Sequence, residues 1–156
     1  MKWSGAFFRT PEFNVILFSF LVNLPWEFWQ VPFFRGIAEL PHWLGVQVCT
    51  RATFGDAGIA LAAFWVAAAF AGSRAWIIRP RRQDIATFMG VGLMVTIALE
   101  TLATGALGRW TYGEAMPRLP LLGTGLLPVL QWLALPPLVI WIVRRQIGAP
   151  VCTGDN

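Results

Sequence analysis

Short clusters of charged residues, proline and glycine divide the sequence into four long apolar runs. A helix needs about 20 mostly apolar residues to cross a bilayer, and the runs are of that order of length. They predict helices over residues 13–34, 52–72, 85–107 and 126–143. We therefore expect an all-α polytopic membrane protein, a four-transmembrane-helix bundle with short loops. Residues 1–156 then form a single integral membrane domain.

The composition favours a membrane protein over a soluble one. Hydrophobic residues make up 56% of the chain, and charged residues only 13%, which is about half of the usual globular share. The net charge of +4 could indicate a nucleic-acid partner. The basic residues lie between the apolar runs, however, where they act as topology signals and contact anionic lipid headgroups. We expect membrane lipids as partners and no nucleic acid.

The distribution of lysine and arginine predicts the orientation. With four spans, both termini and the loop around residue 80 share one side of the membrane, and that side holds more of the 12 basic residues. Its members are Lys2, Arg9, Arg74, Arg79, Arg81, Arg82, Arg144 and Arg145. The positive-inside rule puts this side in the cytoplasm. The sequence thus predicts a multi-pass protein of the cell (inner or plasma) membrane with both termini cytoplasmic.

The segment NLPWEFWQ, residues 23–30, is the most unusual part of the first run. On a helix, Asn23, Glu27 and Gln30 lie on one face. A carboxylate inside hydrocarbon is costly unless it faces protein or water, so this face indicates a polar site. A purely structural hydrogen-bond cluster between helices is the alternative. Pro25 predicts a bend, because it cannot donate to the carbonyl four residues before it.

Two further acids lie in other runs. Glu100 lies late in the third helix, and Asp56 lies about one turn inside the predicted start of the second. Asp56 could belong to the site, cap the helix, or pair with Arg51. In the predicted topology, all of these acids and Gln131 of the fourth helix fall in the outer half of the membrane. The sequence therefore predicts one outward-facing pocket that Glu27 and Glu100 share.

Aromatic residues near the acids are either interfacial belt residues or the wall of a pocket for a hydrophobic guest. The candidate catalytic residues are Glu27, Glu100 and Asp56. The candidate substrate-binding residues are Asn23, Trp26, Gln30, Trp110, Tyr112, Gln131 and Trp132. One histidine and two cysteines form no metal-binding motif, and no phosphate-binding loop is present, so we expect no metal and no cofactor.

Two short elements resemble those of small integral-membrane isoprenoid enzymes. Glu100, the segment GRWTYGEAMPRLP (residues 108–120) and a proline-rich re-entry ending at Gln131-Trp132 resemble carotenoid hydratases and lycopene cyclases. The element Pro-Trp-Glu-Phe at 25–28 resembles membrane-embedded terpene cyclases, which use buried carboxylic acids to protonate an olefin or epoxide.

The resemblance implies that Glu27 and Glu100 match the acids, and that Trp110 and Tyr112 match the aromatic wall. One hypothesis is then a membrane-embedded cyclase, hydratase or isomerase that uses acid–base chemistry on an isoprenoid or other lipid. The alternative is a non-catalytic membrane subunit that binds a partner protein or a small hydrophobic ligand. Its Ala-rich second helix would then support a homo- or hetero-oligomer. A transporter is least favoured, because the inner half of the membrane lacks polar residues.

Overall fold

Four long α-helices make up most of the chain that the computed structural model describes, residues 7–120 and 123–148. They are α1 (Pro11–Gln30), α2 (His42–Ala71), α3 (Arg82–Thr104) and α4 (Leu126–Gly148). Short 3₁₀ turns lie at Phe7–Arg9, Val31–Phe33 and Arg74–Ile77. Within the described ranges there are no β-strands, only two isolated bridges. The predicted all-α class is confirmed.

Three of the four helices, α2, α3 and α4, are long and apolar enough to cross a membrane. This agrees with the predicted membrane protein. The fourth predicted span, which corresponds to α1, stays a prediction.

The prediction for the start of α2 is wrong. The helix begins at His42 and not at residue 52, and Pro41 stands directly before it, where a missing N–H removes no helical hydrogen bond. With 30 residues, α2 is about 45 Å long at about 1.5 Å per residue. It is therefore longer than a hydrocarbon core of about 30 Å, so its polar first turns can continue beyond the apolar region. Asp56 lies in the body of α2, and it neither caps the helix nor forms an ion pair with Arg51 among the described residues.

Two helices end at positions that differ from the prediction. α1 ends at Gln30 and not at residue 34, because Pro32 lacks the N–H that would continue the helix, and a 3₁₀ turn follows. α4 continues past the predicted residue 143 to Gly148, through Arg144 and Arg145. Arginine is a good helix former, and its charge is favourable in a last turn.

α3 is displaced toward the N-terminus relative to its predicted range. It begins at Arg82 because the Asp84 carboxylate accepts a hydrogen bond from the Arg81 backbone N–H and two more from the Arg81 guanidinium group. It ends at Thr104, directly before Gly105. α3 therefore includes Glu100, as predicted, and it ends before the glycine-rich segment that follows Thr104.

The four helices form a ring in which α1 and α3 each pack against both α2 and α4. Residues 31–41 join α1 to α2 and residues 105–125 join α3 to α4, so both segments lie at one end of the bundle, here called the connector end. The segment 72–81 lies at the opposite end. This arrangement brings the C-terminal halves of α1 and α3 next to the N-terminal halves of α2 and α4.

The hydrophobic core fills the half of the bundle away from the connector end. A row of buried rings runs through it from Phe64 to Trp76, then to Phe88 and to Trp132, with centroids 5.7, 5.7 and 6.4 Å apart. The Trp76 indole N–H donates to the Phe64 carbonyl at 3.3 Å. Bulky side chains thus hold the helices together in this half and leave the other half free for polar groups.

The outer surface of the bundle is apolar while polar side chains are inside. In α1, for example, Asn23 and Glu27 are 7% and 8% exposed, whereas Leu21 and Trp29 are 52% and 56% exposed. Phe70 of α2 is 77% exposed. Apolar groups on the outside and polar groups on the inside suit a bundle that is surrounded by lipid.

The packing of α3 against α4 in the core depends on Gly92 of α3. A Cβ atom at this position would lie 1.8 Å from Cζ3 of the Trp132 ring. Trp132 is itself 4% exposed and packs against Phe88, so it has little room to move. Only glycine allows α3 to pack this closely against α4.

We predict that Gly92→Ala lowers the free energy of unfolding by about 1–3 kcal/mol, because the added methyl group overpacks the core. The thermal unfolding temperature of the purified protein in detergent measures this effect. Gly90→Ala is the matched control, since a Cβ atom there meets nothing within 4 Å on the same helix. Its stability should stay the same or rise slightly. Equal unfolding temperatures of Gly92→Ala and Gly90→Ala would contradict this packing of α3 against α4.

Candidate functional site

A cavity of 440 Å³ lies at the connector end of the bundle, and all four helices contribute to its lining. Its volume is within the range of about 300–1,000 Å³ that is typical of small-molecule sites. Most of the lining is aliphatic or aromatic. The carboxyl groups of Glu27, Asp56 and Glu100 face this apolar space from three different helices.

The cavity is open on the side of α2 and α3 and also toward the connector end, where Arg51 and Arg109 of its lining are exposed. The lining residues of α1 and α4, such as Glu27 and Gln131, are buried. The exposed lining residues include Ala52 and Gly55 of α2 and Leu99 of α3. α1 and α4 therefore form the inner wall, and the opening faces whatever surrounds the bundle.

A single amide, that of Gln131, organises the inner wall. Its Nε2 donates to Asn23 Oδ1 at 2.6 Å and to Asp56 Oδ2 at 2.9 Å. Glu27 Oε1 lies 3.5 Å from the same nitrogen and accepts a second hydrogen bond from Gln30 Nε2 at 2.7 Å. These contacts join α1, α2 and α4. The predicted helix face of Asn23, Glu27 and Gln30 is present, since all three are buried.

The carboxyl groups of Glu27 and Asp56 both approach the Gln131 amide nitrogen, at 3.5 and 2.9 Å, so they lie close together. Two carboxylates at this distance repel strongly in a low-dielectric interior, whereas one acid and one carboxylate share a proton. Among the described residues no cation forms an ion pair with either group. The two groups therefore form a close carboxyl pair that can share one proton.

Glu100 has a different environment. Its Oε2 accepts hydrogen bonds from the Tyr112 hydroxyl at 2.5 Å and from the Trp110 indole N–H at 3.4 Å. Both partners are donors, so they match a carboxylate, which only accepts. The neighbours of Glu100 are hydrogen-bond donors, whereas Glu27 and Asp56 lie next to each other, although all three residues line the same cavity.

Tyr112 is held in place by the connector. The segment around it forms an antiparallel bridge with Phe34, in which the Gly113 N–H donates to the Phe33 carbonyl at 2.8 Å. The Tyr112 ring is 5% exposed. Burial raises the pKa of the Tyr112 phenol, and its hydrogen bond to Glu100 raises it further. The phenol therefore stays protonated and remains a donor to Glu100 at neutral pH.

The predicted site residues fall into three groups. Those in the cavity lining are Glu27, Gln30, Asp56, Glu100, Trp110 and Gln131. Asn23 and Tyr112 lie behind the lining, where they bind Gln131 and Glu100. The predicted cavity shared by Glu27 and Glu100 is therefore present, and the catalytic roles of its residues stay predictions.

Trp132 and Trp26 do not line the cavity. Trp132 packs in the hydrophobic core, because Gly92 provides the space for its ring. Trp26 packs beside Trp29 at a centroid distance of 5.2 Å, with its indole nitrogen buried and without a hydrogen-bond partner. A binding role for either tryptophan at this cavity finds no support in the geometry.

Pro25 does not end α1, which continues as a helix through this residue.

The sequence-based site omitted thirteen residues of the lining, among them Cys49, Arg51, Gly55, Thr96 and Arg109. Thr96 Oγ1 is buried and has no hydrogen-bond partner, and the same is true of Gln30 Oε1. Arg51 was assigned to a connector because the start of α2 was placed too late. In the structure, Arg51 belongs to α2, the same helix that carries Asp56.

Comparison with protein-family models, curated proteins and solved structures finds no match for this chain. The resemblance of residues 25–28 and 108–120 to isoprenoid enzymes therefore stays a prediction. The described residues also contain no group of three or more His, Cys, Asp or Glu side chains arranged to hold a metal ion. The cavity and its carboxyl groups are the features of this chain that indicate a function.

We predict that Tyr112→Phe weakens the site through Glu100. The variant leaves the carboxyl group with only the long hydrogen bond from Trp110, and losing a hydrogen bond to a charged group costs about 1.5–3 kcal/mol. Thermal unfolding in detergent measures the change in Tyr112→Phe, Glu100→Gln and the double variant. The two single effects should be non-additive, because the side chains are in contact. Additive effects would show that Tyr112 does not act on Glu100.

Proposed function

We propose that this chain is a membrane enzyme that carries out acid–base chemistry on an isoprenoid or a similar unsaturated lipid. One observation carries the proposal: an apolar cavity contains a close pair of carboxyl groups, Glu27 with Asp56, and a separate carboxyl group, Glu100. Acid–base catalysis needs a group that gives a proton and another that takes one, both within reach of the substrate.

The proposed reaction begins at the Glu27–Asp56 pair. Its proton is transferred to one carbon of a substrate double bond, which forms a C–H bond and leaves a carbocation. Glu100, or the carboxylate of the pair, then removes a proton from a neighbouring carbon and restores a double bond. The net result is isomerisation or cyclisation without any further reactant. Addition of water to the carbocation, followed by loss of its proton to the carboxylate, gives hydration instead.

Two properties of the cavity favour a lipid substrate. The opening between α2 and α3 faces the exposed apolar surface of the bundle, so a molecule dissolved in the bilayer can enter without crossing water. The wall also contains Trp110, whose ring face can stabilise a cation. A polar metabolite would gain little from such a wall.

We infer that α1 is a fourth membrane span. It packs against α2 and α4, two of the apolar helices, and turns Leu21, Phe28 and Trp29 outward. The distribution of lysine and arginine then favours both termini in the cytoplasm and the connector end outside, in a cell (inner or plasma) membrane.

We predict that reporters fused at the C-terminus and within residues 79–82 both report a cytoplasmic location. A reporter inserted into residues 115–118 of the connector should report the opposite side. Paired alkaline-phosphatase and fluorescent-protein fusions measure this. A cytoplasmic signal from the connector insertion would reject the proposed orientation of the cavity.

We predict that Glu27→Gln abolishes the lipid conversion and leaves the fold nearly intact. The amide keeps most of the hydrogen bonds but cannot take part in proton transfer. Glu27→Ala should also lower stability by about 1–3 kcal/mol, because Gln30 and Gln131 lose an acceptor. The lipid extract of cells that express each variant is compared with that of cells without the gene. Glu39→Gln, an exposed connector position, is the matched control.

The same experiment separates the enzyme from a non-catalytic subunit. An enzyme produces a lipid difference that disappears in Glu27→Gln and persists in Glu39→Gln. A subunit that only binds a partner or a ligand keeps its phenotype in Glu27→Gln, since the fold and most hydrogen bonds remain. That result would end the proposal of proton transfer from Glu27.

A further inference from the structure

Two arginines of the cavity lining have no partner for their charge. Arg51 and Arg109 both line the cavity, and neither side chain makes an ion pair, hydrogen bond or ring contact within the described residues. Other arginines that lack such contacts, Arg9, Arg79 and Arg82, belong to the opposite end of the bundle. Arg51 and Arg109 are therefore the cations that the cavity itself presents without a counter-ion.

The acids of the cavity do not neutralise these arginines. Glu100 accepts from Tyr112 and Trp110, and Asp56 accepts from Gln131. Within the described ranges, no ion pair joins any of the three cavity carboxyl groups to a guanidinium group. The cavity thus keeps its acids and its cations apart, which leaves the guanidinium groups available to an anion.

The positions of the two arginines give the cavity a polar end and an apolar end. Arg51 lies five residues before Asp56 on α2, a rise of about 7.5 Å toward the connector end. Arg109 lies in the connector, beyond the end of α3. Ile59, further along α2, lines the other end. A ligand that follows this axis has its charge near the connector end and its apolar part deeper in the bundle.

A second observation points to a bound molecule. Gln30 Oε1 and Thr96 Oγ1 are buried atoms without a hydrogen-bond partner, and both residues line this cavity. Gln30 is 6% exposed and Thr96 is 7% exposed. Buried polar atoms usually have partners, and a missing partner costs about 1–3 kcal/mol. A ligand with polar atoms in the cavity would satisfy both.

We propose that Arg51 and Arg109 bind the acidic headgroup of an amphipathic lipid, a phosphate or a carboxylate, while its apolar chain occupies the cavity. Guanidinium groups suit this role because their planar N–H groups bind both anions in bidentate fashion. The inference deepens the proposed function, on which it rests for the reacting part of the substrate. The binding itself needs no catalysis and can be measured alone.

Anionic headgroups of the surrounding bilayer could contact the same arginines without entering the cavity. A variant that fills the cavity separates these two sources. Gly55 lines the cavity, and a Cβ atom there meets nothing within 4 Å, so Gly55→Leu fills space without a backbone clash. Gly58→Leu is its matched control, because Gly58 is equally open on α2 and does not line the cavity.

The experiment measures the binding of farnesyl phosphate, farnesol and inorganic phosphate to the full-length protein in a non-ionic detergent by isothermal titration. The natural chain should bind farnesyl phosphate at least about tenfold more tightly than farnesol, since hydrogen bonds to charged groups contribute about 1.5–3 kcal/mol. Arg51→Gln/Arg109→Gln should remove this preference and keep farnesol binding. Gly55→Leu should weaken both prenyl ligands at least about tenfold, and Gly58→Leu should bind like the natural chain.

Several results would overturn the inference. These are no saturable binding of farnesyl phosphate, equal binding of farnesyl phosphate and farnesol, or a preference that survives the double arginine substitution. Inorganic phosphate that binds as tightly as farnesyl phosphate, or unchanged binding in Gly55→Leu, would show a surface anion site only. Titration measures binding without turnover and the lipid extract measures conversion, so the loss of headgroup binding and the loss of the proposed catalysis are separate results.

Discussion

The amide of Gln131 is the contact on which the polar half of the bundle depends. It reaches Asn23 and Glu27 on α1 and Asp56 on α2 from α4, so one side chain satisfies acceptors on two other helices. An unpaired acid in an apolar bundle would be very costly, whereas a hydrogen-bonded acid pair is tolerated. The hydrogen bonds of Gln131 fix which faces of α1, α2 and α4 meet, at the level of the bundle where the cavity begins.

This constraint explains why the bundle has two unlike halves. Away from the connectors, the rings of Phe64, Trp76, Phe88 and Trp132 fill the space between the helices. Near the connectors, hydrogen bonds replace this packing and hold the inner wall while space remains beside it. A close-packed half that provides stability allows the other half to contain a cavity, because the helices are already held at fixed distances.

The sequence predicted the helices, the buried face of α1 and the shared cavity, because each depends on local periodicity or on the cost of burying an acid. It missed contacts that depend on tertiary structure. The sequence predicts that Trp132 lines the cavity beside Gln131. Its ring instead packs in the core, in the space that Gly92 leaves open. For Asp56 the sequence left a helix cap and an ion pair with Arg51 open beside a role in the site, because hydropathy marks the apolar part of a helix and not the turns of α2 that continue beyond it. The Tyr112–Glu100 contact depends on a bridge between two connectors, which no local pattern encodes.

The connectors also decide from which side the acids can be reached. The bridge between Phe34 and Tyr112 joins the two connectors beside the cavity, while exposed lining residues remain on α2, on α3 and at the connector end. Under the proposed chemistry this difference is important, because a carbocation that forms beside bulk water is captured before it can rearrange. A lateral opening toward lipid would admit an apolar chain directly from the bilayer. The arginines would then hold the charged end of the molecule at the interface, so that only its unsaturated part reaches Glu27, Asp56 and Glu100.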